Sequence, residues 1–305
     1  MSSPRFHKTL DRACEGEHLA IWGLAGHEQL DVVLAEILAE REVRGARVPV
    51  VSLLMRGHED ADWIREAVAW LAARGRRVVV RTRVVMPRDL VSVLAQARSS
   101  GAGAIVELEL AHHKAAIQRA LLGEHADTVA ALLLQAQHLE TLEIPVVARL
   151  APLLPGIHDQ AGGFAPLLRA VEAAALRRVV LDVGRLHPQQ IGNLVAVARE
   201  LSVAGLLELA RAFAVDPMVL LAGAELPPAQ AQQVFKLKPR RAQVLAHGLE
   251  TMAREAGLEI PACPGTGNGS CRAYCELAEA GGSNRYQVGY ESVMGRDLFA
   301  GLEVG

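Results

Sequence analysis

Short runs rich in β-branched residues alternate with Ala/Leu-rich runs of helical length, and this alternation restricts the possible folds more than any other feature of the chain. Strands separated by helices pack as a parallel sheet with helices on its faces. Strands are predicted at residues 18–23, 48–55, 76–84, 104–110, 144–150 and 178–183. Helices are predicted between them at residues 29–44, 62–74, 87–99, 126–142 and 164–176. Gly75 closes the second of these helices and Pro87 opens the third, as helix chemistry prefers. Five strand–helix units and a sixth strand make a partial parallel (β/α)6 barrel, although a doubly wound open α/β sheet satisfies the same periodicity.

The pattern changes near Pro188. Helices are expected at residues 189–201, 203–214 and 229–257, with a break at Leu226-Pro227-Pro228 and a basic stretch, Lys236-Leu237-Lys238-Pro239-Arg240-Arg241, that reads as a solvated helix start. The expected organisation is a parallel α/β partial barrel over residues 1–187, a helical region packing on it over 188–258, and a Cys/Gly-rich tail over 259–305. A formal net charge of -2 supplies no field that would draw in nucleic acid or an anionic membrane, and 4% aromatic residues leave little for base stacking. The apolar stretch 129–154 is interrupted by Gln135, Gln137, Glu140, Glu143 and Arg149, so it does not read as a membrane span. No apolar run follows Arg5, Lys8 and Arg12, so no signal peptide is expected. Of the 4 cysteines, three lie between residues 263 and 275, which argues against a disulfide framework and for a reducing, cytoplasmic setting.

Strand side chains alternate between faces. If Val106, Leu108 and Leu110 face the helices, then Ile105, Glu107 and Glu109 face inward. The same parity sends Arg81, Arg83, Arg149 and Asp182 inward on neighbouring strands. Each unpaired ion buried there costs several kcal/mol on the order found in real proteins. The charges therefore either pair with one another and seal the interior, or line a polar ligand cavity at the C-terminal strand ends, where parallel barrels place their sites. The positions of Glu107, Arg149 and Asp182 toward the ends of their strands favour the cavity. His27, His58, His112, His113, His158 and His187 also follow strands. With Glu107, Asp159 and Asp182 they would compose a divalent-metal site, or they are ordinary surface histidines, since no signature spacing joins them.

The tail carries Cys263, Cys271 and Cys275 as C-x7-C-x3-C among glycines. Three thiolates within thirteen residues can cap one metal centre, and Cys271 and Cys275 share a face if their segment is helical. Soft thiolates suit a 4Fe–4S cluster or zinc. Zinc ordinarily musters four ligands, so the missing fourth cysteine favours iron–sulfur, with unmetallated thiols as the remaining alternative.

Residues 78–186 resemble the central part of radical S-adenosylmethionine barrels, most closely the spore photoproduct lyase branch. The resemblance rests on Val79-Val80-Arg81-Thr82-Arg83 followed by Pro87-Arg88-Asp89-Leu90, on the Glu107-to-Glu109 strand, and on Leu142-Glu143-Ile144-Pro145-Val146. Its most telling piece is Arg149-Leu150-Ala151-Pro152-Leu153-Leu154-Pro155-Gly156-Ile157-His158-Asp159, similar to a strand exit that lies by the cofactor's adenine in that family. The resemblance implies a partial barrel and S-adenosylmethionine held near Pro155, Gly156 and Asp159. It also implies a C-x-x-x-C-x-x-C motif after the first strand, but Ala20-Ile21-Trp22-Gly23-Leu24-Ala25-Gly26-His27-Glu28 contains no cysteine. The expectation is a barrel protein that lacks this motif and carries its iron–sulfur centre on the tail cysteines, acting as an enzyme component on a small polar substrate. Arg149 and Arg81 would clamp a carboxylate or phosphate, with Arg83 and Asp182 beside them, and Glu107 or Glu109 would bind an amine or move a proton. Two alternatives stand beside it: a catalytically degenerate paralogue serving as scaffold or partner subunit for an active radical S-adenosylmethionine protein, and a divalent-metal-dependent lyase or hydrolase.

Overall fold

A computed structural model of the chain describes residues 5–10, 17–24, 26, 29–43, 50–160 and 162–260. Seven strands form one sheet in sequential order: β1 (Arg5–Leu10), β2 (Glu17–Trp22), β3 (Val50–Met55), β4 (Arg77–Thr82), β5 (Ala104–Leu110), β6 (Val146–Leu153) and β7 (Val179–Val183). β1 pairs antiparallel with β2, an edge hairpin that the sequence reading did not anticipate. The pairs β2–β3, β3–β4, β4–β5 and β6–β7 are all parallel. A doubly wound sheet reverses its strand order at a switch point. This sheet does not, so that alternative falls.

The chain divides into two compact units. One gathers the described residues of Met1–Leu108 with Gln135–Val147, and the other Glu109–Leu134 with Ala148–Glu259. In the first unit, helices α1 (Leu30–Val43), α2 (Ala61–Ala72) and α3 (Arg88–Ser99) follow β2, β3 and β4. α2 buries Trp63, Ile64, Ala67, Val68 and Leu71, and α3 buries Leu90, Val91, Leu94 and Ala97, the 3.6-residue stripes of helices lying on a sheet. Val78, Val80, Val106 and Leu108 are likewise fully buried. Asp60 ties down the turn after β3, accepting from the Arg56 backbone N–H and from Trp63 Nε1, each at 2.8 Å.

In the second unit, α4 (Ala115–Leu122) follows β5. α6 (Phe164–Ala173) joins β6 to β7, and α7 (Pro188–Ala196), α8 (Val203–Phe213), α9 (Pro217–Ala222) and α10 (Pro239–Glu255) follow. α5 (Val129–Thr141), between α4 and α6 in sequence, contributes to both units. Ile117, Leu121, Leu154, Ile157, Leu186, Ile191, Leu194, Leu206, Leu209 and Phe213 join one apolar cluster.

One expectation is corrected here. Residues 229–238 are not helical, and α10 begins only at Pro239. Proline at the first helical position forces the preceding residue out of the α region, and Lys238 is accordingly extended at φ -60, ψ 139. Phe235 instead pairs with Leu186 through both backbone groups, its N–H donating at 2.9 Å and its carbonyl accepting at 3.0 Å.

Candidate functional site at the strand ends

In the first unit Arg81 stands directly opposite Glu107 in the β4–β5 register. Both side chains are buried, at 1% and 0% exposure, with Arg81 Nε 2.9 Å from Glu107 Oε1. Nη2 donates to Oε2 at 3.5 Å. This pair follows the sealing alternative: the charges neutralise each other inside the unit. Arg83, one residue beyond β4, is half-buried.

In the second unit, Arg149 on β6 reaches toward the C-terminal end of β7, and its Nη2 donates to Asp182 Oδ2 at 2.5 Å. The Arg149 side chain is 3% exposed and that of Asp182 20%, so one partner lies in the interior and the other meets water. Glu109 joins them by register. Val106 N–H donates to Pro145 O at 2.9 Å, which aligns Val106 with residue 146 in a parallel ladder; three residues further, Glu109 is level with Arg149. Glu109 is half-buried and shares the face of Glu107. Arg149 thus lies in the middle of β6, while Glu109 and Asp182 each stand one residue before the end of their strand. Guanidinium–carboxylate pairs of this kind fix both side chains in position and give the exposed oxygens a defined direction.

Above this row the chain turns sharply after β6. The Ala151–Pro152 peptide is cis, and the β6–β7 register shifts between Leu150 and Leu153. Asp159 Oδ1 accepts from Gly156 N–H at 2.6 Å and closes the turn. Gly156 has φ +78, and a Cβ there would lie 2.1 Å from Gly205 O on α8. Its close approach is therefore to a helix backbone. Pro155 beside it is buried. His158 is fully buried and latches the turn to the exit of β5: Nε2 is 2.7 Å from Ala111 O, and Nδ1 accepts from Leu154 N–H at 2.8 Å.

The structure gathers His112, His113 and His158, with His112 stacked on His113 at 4.3 Å and edge-on to His158 at 6.0 Å. Burial, aided by the neighbouring imidazoles and Lys114, pushes the His112 pKa down to about 3, and its Nδ1 accepts from Lys114 N–H at 3.0 Å. Burial also lowers those of His113 and His158. Both ring nitrogens of His158 are committed to backbone, and among the described residues no group of three or more His, Cys, Asp or Glu side chains is arranged to hold a metal ion. Of the two alternatives for the post-strand histidines, the divalent-metal site is therefore not formed among the described residues; His27 lies outside them.

The cluster implied by the family resemblance finds no ligands among the described residues, none of which is a cysteine. Cys263, Cys271 and Cys275 lie outside them. Sequence reasoning missed two buried glutamines that organise the strand exits. Gln118 Oε1 accepts from the N–H groups of Ala111 and His112 at 2.7 and 3.0 Å. In the first unit Gln135 pairs with both backbone groups of Met86, at 3.0 and 2.8 Å. The available signal was an amide within an apolar helical stripe.

No family model matches the chain, and no curated protein matches it. Among solved structures, one that the chain is similar to is Streptococcus suis SuiB, in a crystal structure bound to S-adenosylmethionine. The TM-score is 0.36 at 10% identity, over 63% of this chain and 46% of that one, so this chain spans less than half of SuiB's length. Among the described residues, no helix is long and apolar enough to cross a membrane.

Proposed function

We propose that this chain is a radical S-adenosylmethionine-like partial barrel that binds a small polar molecule at its strand ends, with Cys263, Cys271 and Cys275 as an iron–sulfur centre in preference to zinc. The observation that carries the reading is the Arg149–Asp182 pair, in which a buried guanidinium orients a carboxylate that still meets water at the end of β7. Ligands of parallel α/β proteins bind at the carboxyl ends of the strands, and fixed polar groups there set their orientation. Arg149, Glu109 and Asp182 are the first-rank binding residues. Arg81 and Glu107 form a buried ion pair in the first unit with Arg83 just beyond the strand, while Pro155, Gly156 and Asp159 shape the turn after β6. A bound cluster would supply electron transfer; the strand residues would bind and orient the substrate and hold its protons.

The test uses full-length protein purified anaerobically. Iron and acid-labile sulfide should be present in the wild type and lost in Cys271→Ala, and a panel of small polar molecules should raise the melting temperature of the wild type but not of Asp182→Asn. Iron-free protein after reconstitution, together with a panel that shifts nothing, refutes the proposal.

A second reading, a partner subunit for an active relative, is favoured by the fully buried Arg81–Glu107 pair and by the thiol-free exit of β2. Stoichiometric co-purification with another α/β protein, without ligand binding by this chain alone, is the outcome it requires.

A further inference from the structure

We infer that the turn after β6 is a seat for α8 and that this chain takes no S-adenosylmethionine there; the inference rests on the radical S-adenosylmethionine-like reading above and narrows its ligand. The resemblance places the cofactor's adenine beside Pro155, Gly156 and Asp159. The geometry gives that surface to a helix. Gly156 has φ +78, and a Cβ there would overlap Gly205 O and lie 2.9 Å from Leu209 N. From the other side, a Cβ at Gly205 would overlap Gly156 O. Two residues without side chains thus bring the turn and α8 into direct backbone contact.

Other sides of the turn are taken as well. His158 ties it to the exit of β5, with Nε2 2.7 Å from Ala111 O, and a Cβ at Gly163, the N-cap of α6, would overlap Ile157 O. Residues 154–158 are buried, with Leu154 and His158 at 0% exposure, so of this turn only Asp159 offers surface to an arriving molecule. Asp159 Oδ1 already accepts from Gly156 N–H at 2.6 Å. An adenine ring needs a concave face that covers most of its surface, and close-packed backbone leaves no room of that size.

α8 is part of the core of the second unit and not a lid. Its Leu206, Leu209 and Phe213 are buried in the apolar cluster that also holds Leu154 and Ile157, so lifting the helix would bare both sets of side chains at once. Its start is fixed independently, since Ser202 Oγ accepts from Gly205 N–H at 2.9 Å as the helix N-cap. The contact with Gly156 therefore falls in the first turn of α8, where the cap holds the backbone in place.

Two measurements on the full chain, purified anaerobically, test the inference. In hydrogen–deuterium exchange, amides of residues 154–158 should be protected to the same degree as those of residues 206–209. Gly205→Ala, which sets a methyl group against Gly156 O, should speed exchange in both segments about tenfold or more; where that variant fails to fold, the wild-type protection decides. Titration calorimetry with S-adenosylmethionine, S-adenosylhomocysteine and adenosine, before and after reconstitution with iron and sulfide, should give no binding that Asp159→Asn weakens. Binding of any of the three that Asp159→Asn weakens overturns the inference, and so does a turn that exchanges freely without ligand. Absence of binding, or binding that Asp159→Asn leaves unchanged, upholds it when the turn is protected. A panel of polar molecules that shifts nothing sinks the reading above and leaves the seat of α8 standing, so the two failures are distinguishable.

Discussion

Replacing Glu107 with glutamine should unfold the first unit more readily than almost any other isosteric change in it. The side chain keeps its shape and loses its charge, so Arg81 is left buried at 1% exposure with its carboxylate partner gone. At the 2.9 Å separation of Nε and Oε1, the Coulomb attraction is roughly 6 kcal/mol at an effective dielectric near 20. Desolvation of the two ions costs several kcal/mol each, so the intact pair is close to neutral in net stability. Removing one partner keeps most of the desolvation cost and loses the attraction, for an expected loss of about 3–5 kcal/mol. Arg81→Met combined with Glu107→Leu removes both ions and should recover most of that loss, or exceed the wild type by up to about 1–4 kcal/mol. Urea denaturation followed by circular dichroism, run on the wild type, Arg81→Met, Glu107→Leu and their double, closes the cycle, with Glu107→Gln measured alongside. The reasoning is refuted if Glu107→Gln lies within about 1 kcal/mol of the wild type, or if the double variant is as unstable as the two singles added together.

Two further outcomes follow from the second unit. Gly156→Ala places a Cβ 2.1 Å from Gly205 O at a backbone φ of +78, so it should lower stability by about 2 kcal/mol or more through overpacking and left-handed strain, and a thermal melt reads it directly. His112 and His158 are held neutral in the folded chain, so an unfolded chain binds more protons as the pH falls. The stability they contribute is complete above the ordinary histidine range and declines with acidification, at up to about 1.4 kcal/mol per pH unit for each ring. For His112 the decline continues down to about pH 3. Urea midpoints measured between pH 7.5 and 5 should fall, and His112→Asn, which retains an acceptor near Nδ1, should flatten the slope.

The fold was legible where local chemistry and long-range packing agree. α2 and α3 were read within two residues of their ends because their apolar stripes, Gly75 and Pro87 all speak for the same boundaries. The strand expected at residues 144–150 begins early and stops short of the observed β6. β6 runs on through Ala151 and Pro152 to Leu153, past a register shift that period-two alternation does not announce. The helix expected from residue 229 shows the opposite failure. Ala- and Gln-rich composition favoured a helix, while Pro239 and the pairing of Phe235 with Leu186 decided against one, and the second of these depends on a partner almost fifty residues away.

Alternation identified the face of each charge but not its partner, and the distinction governs what the site can do. Arg81 and Glu107 looked equivalent to Arg149 and Asp182 in sequence, since all four occupy the inward parity of consecutive strands. The register separates them. Arg81 and Glu107 stand level on adjacent strands and close on each other without access to water, whereas Arg149 reaches two residues up β7 to an acid at the strand's end. A pair formed across a ladder rung is a structural element, and a pair formed diagonally toward the C-terminal edge exposes one member. The Pro155-Gly156 turn shows the same limit from the backbone side. A glycine at positive φ is visible in sequence as a tight turn, but whether the space it opens admits a ligand or a helix depends on Gly205, some fifty residues later, whose own missing side chain completes the contact.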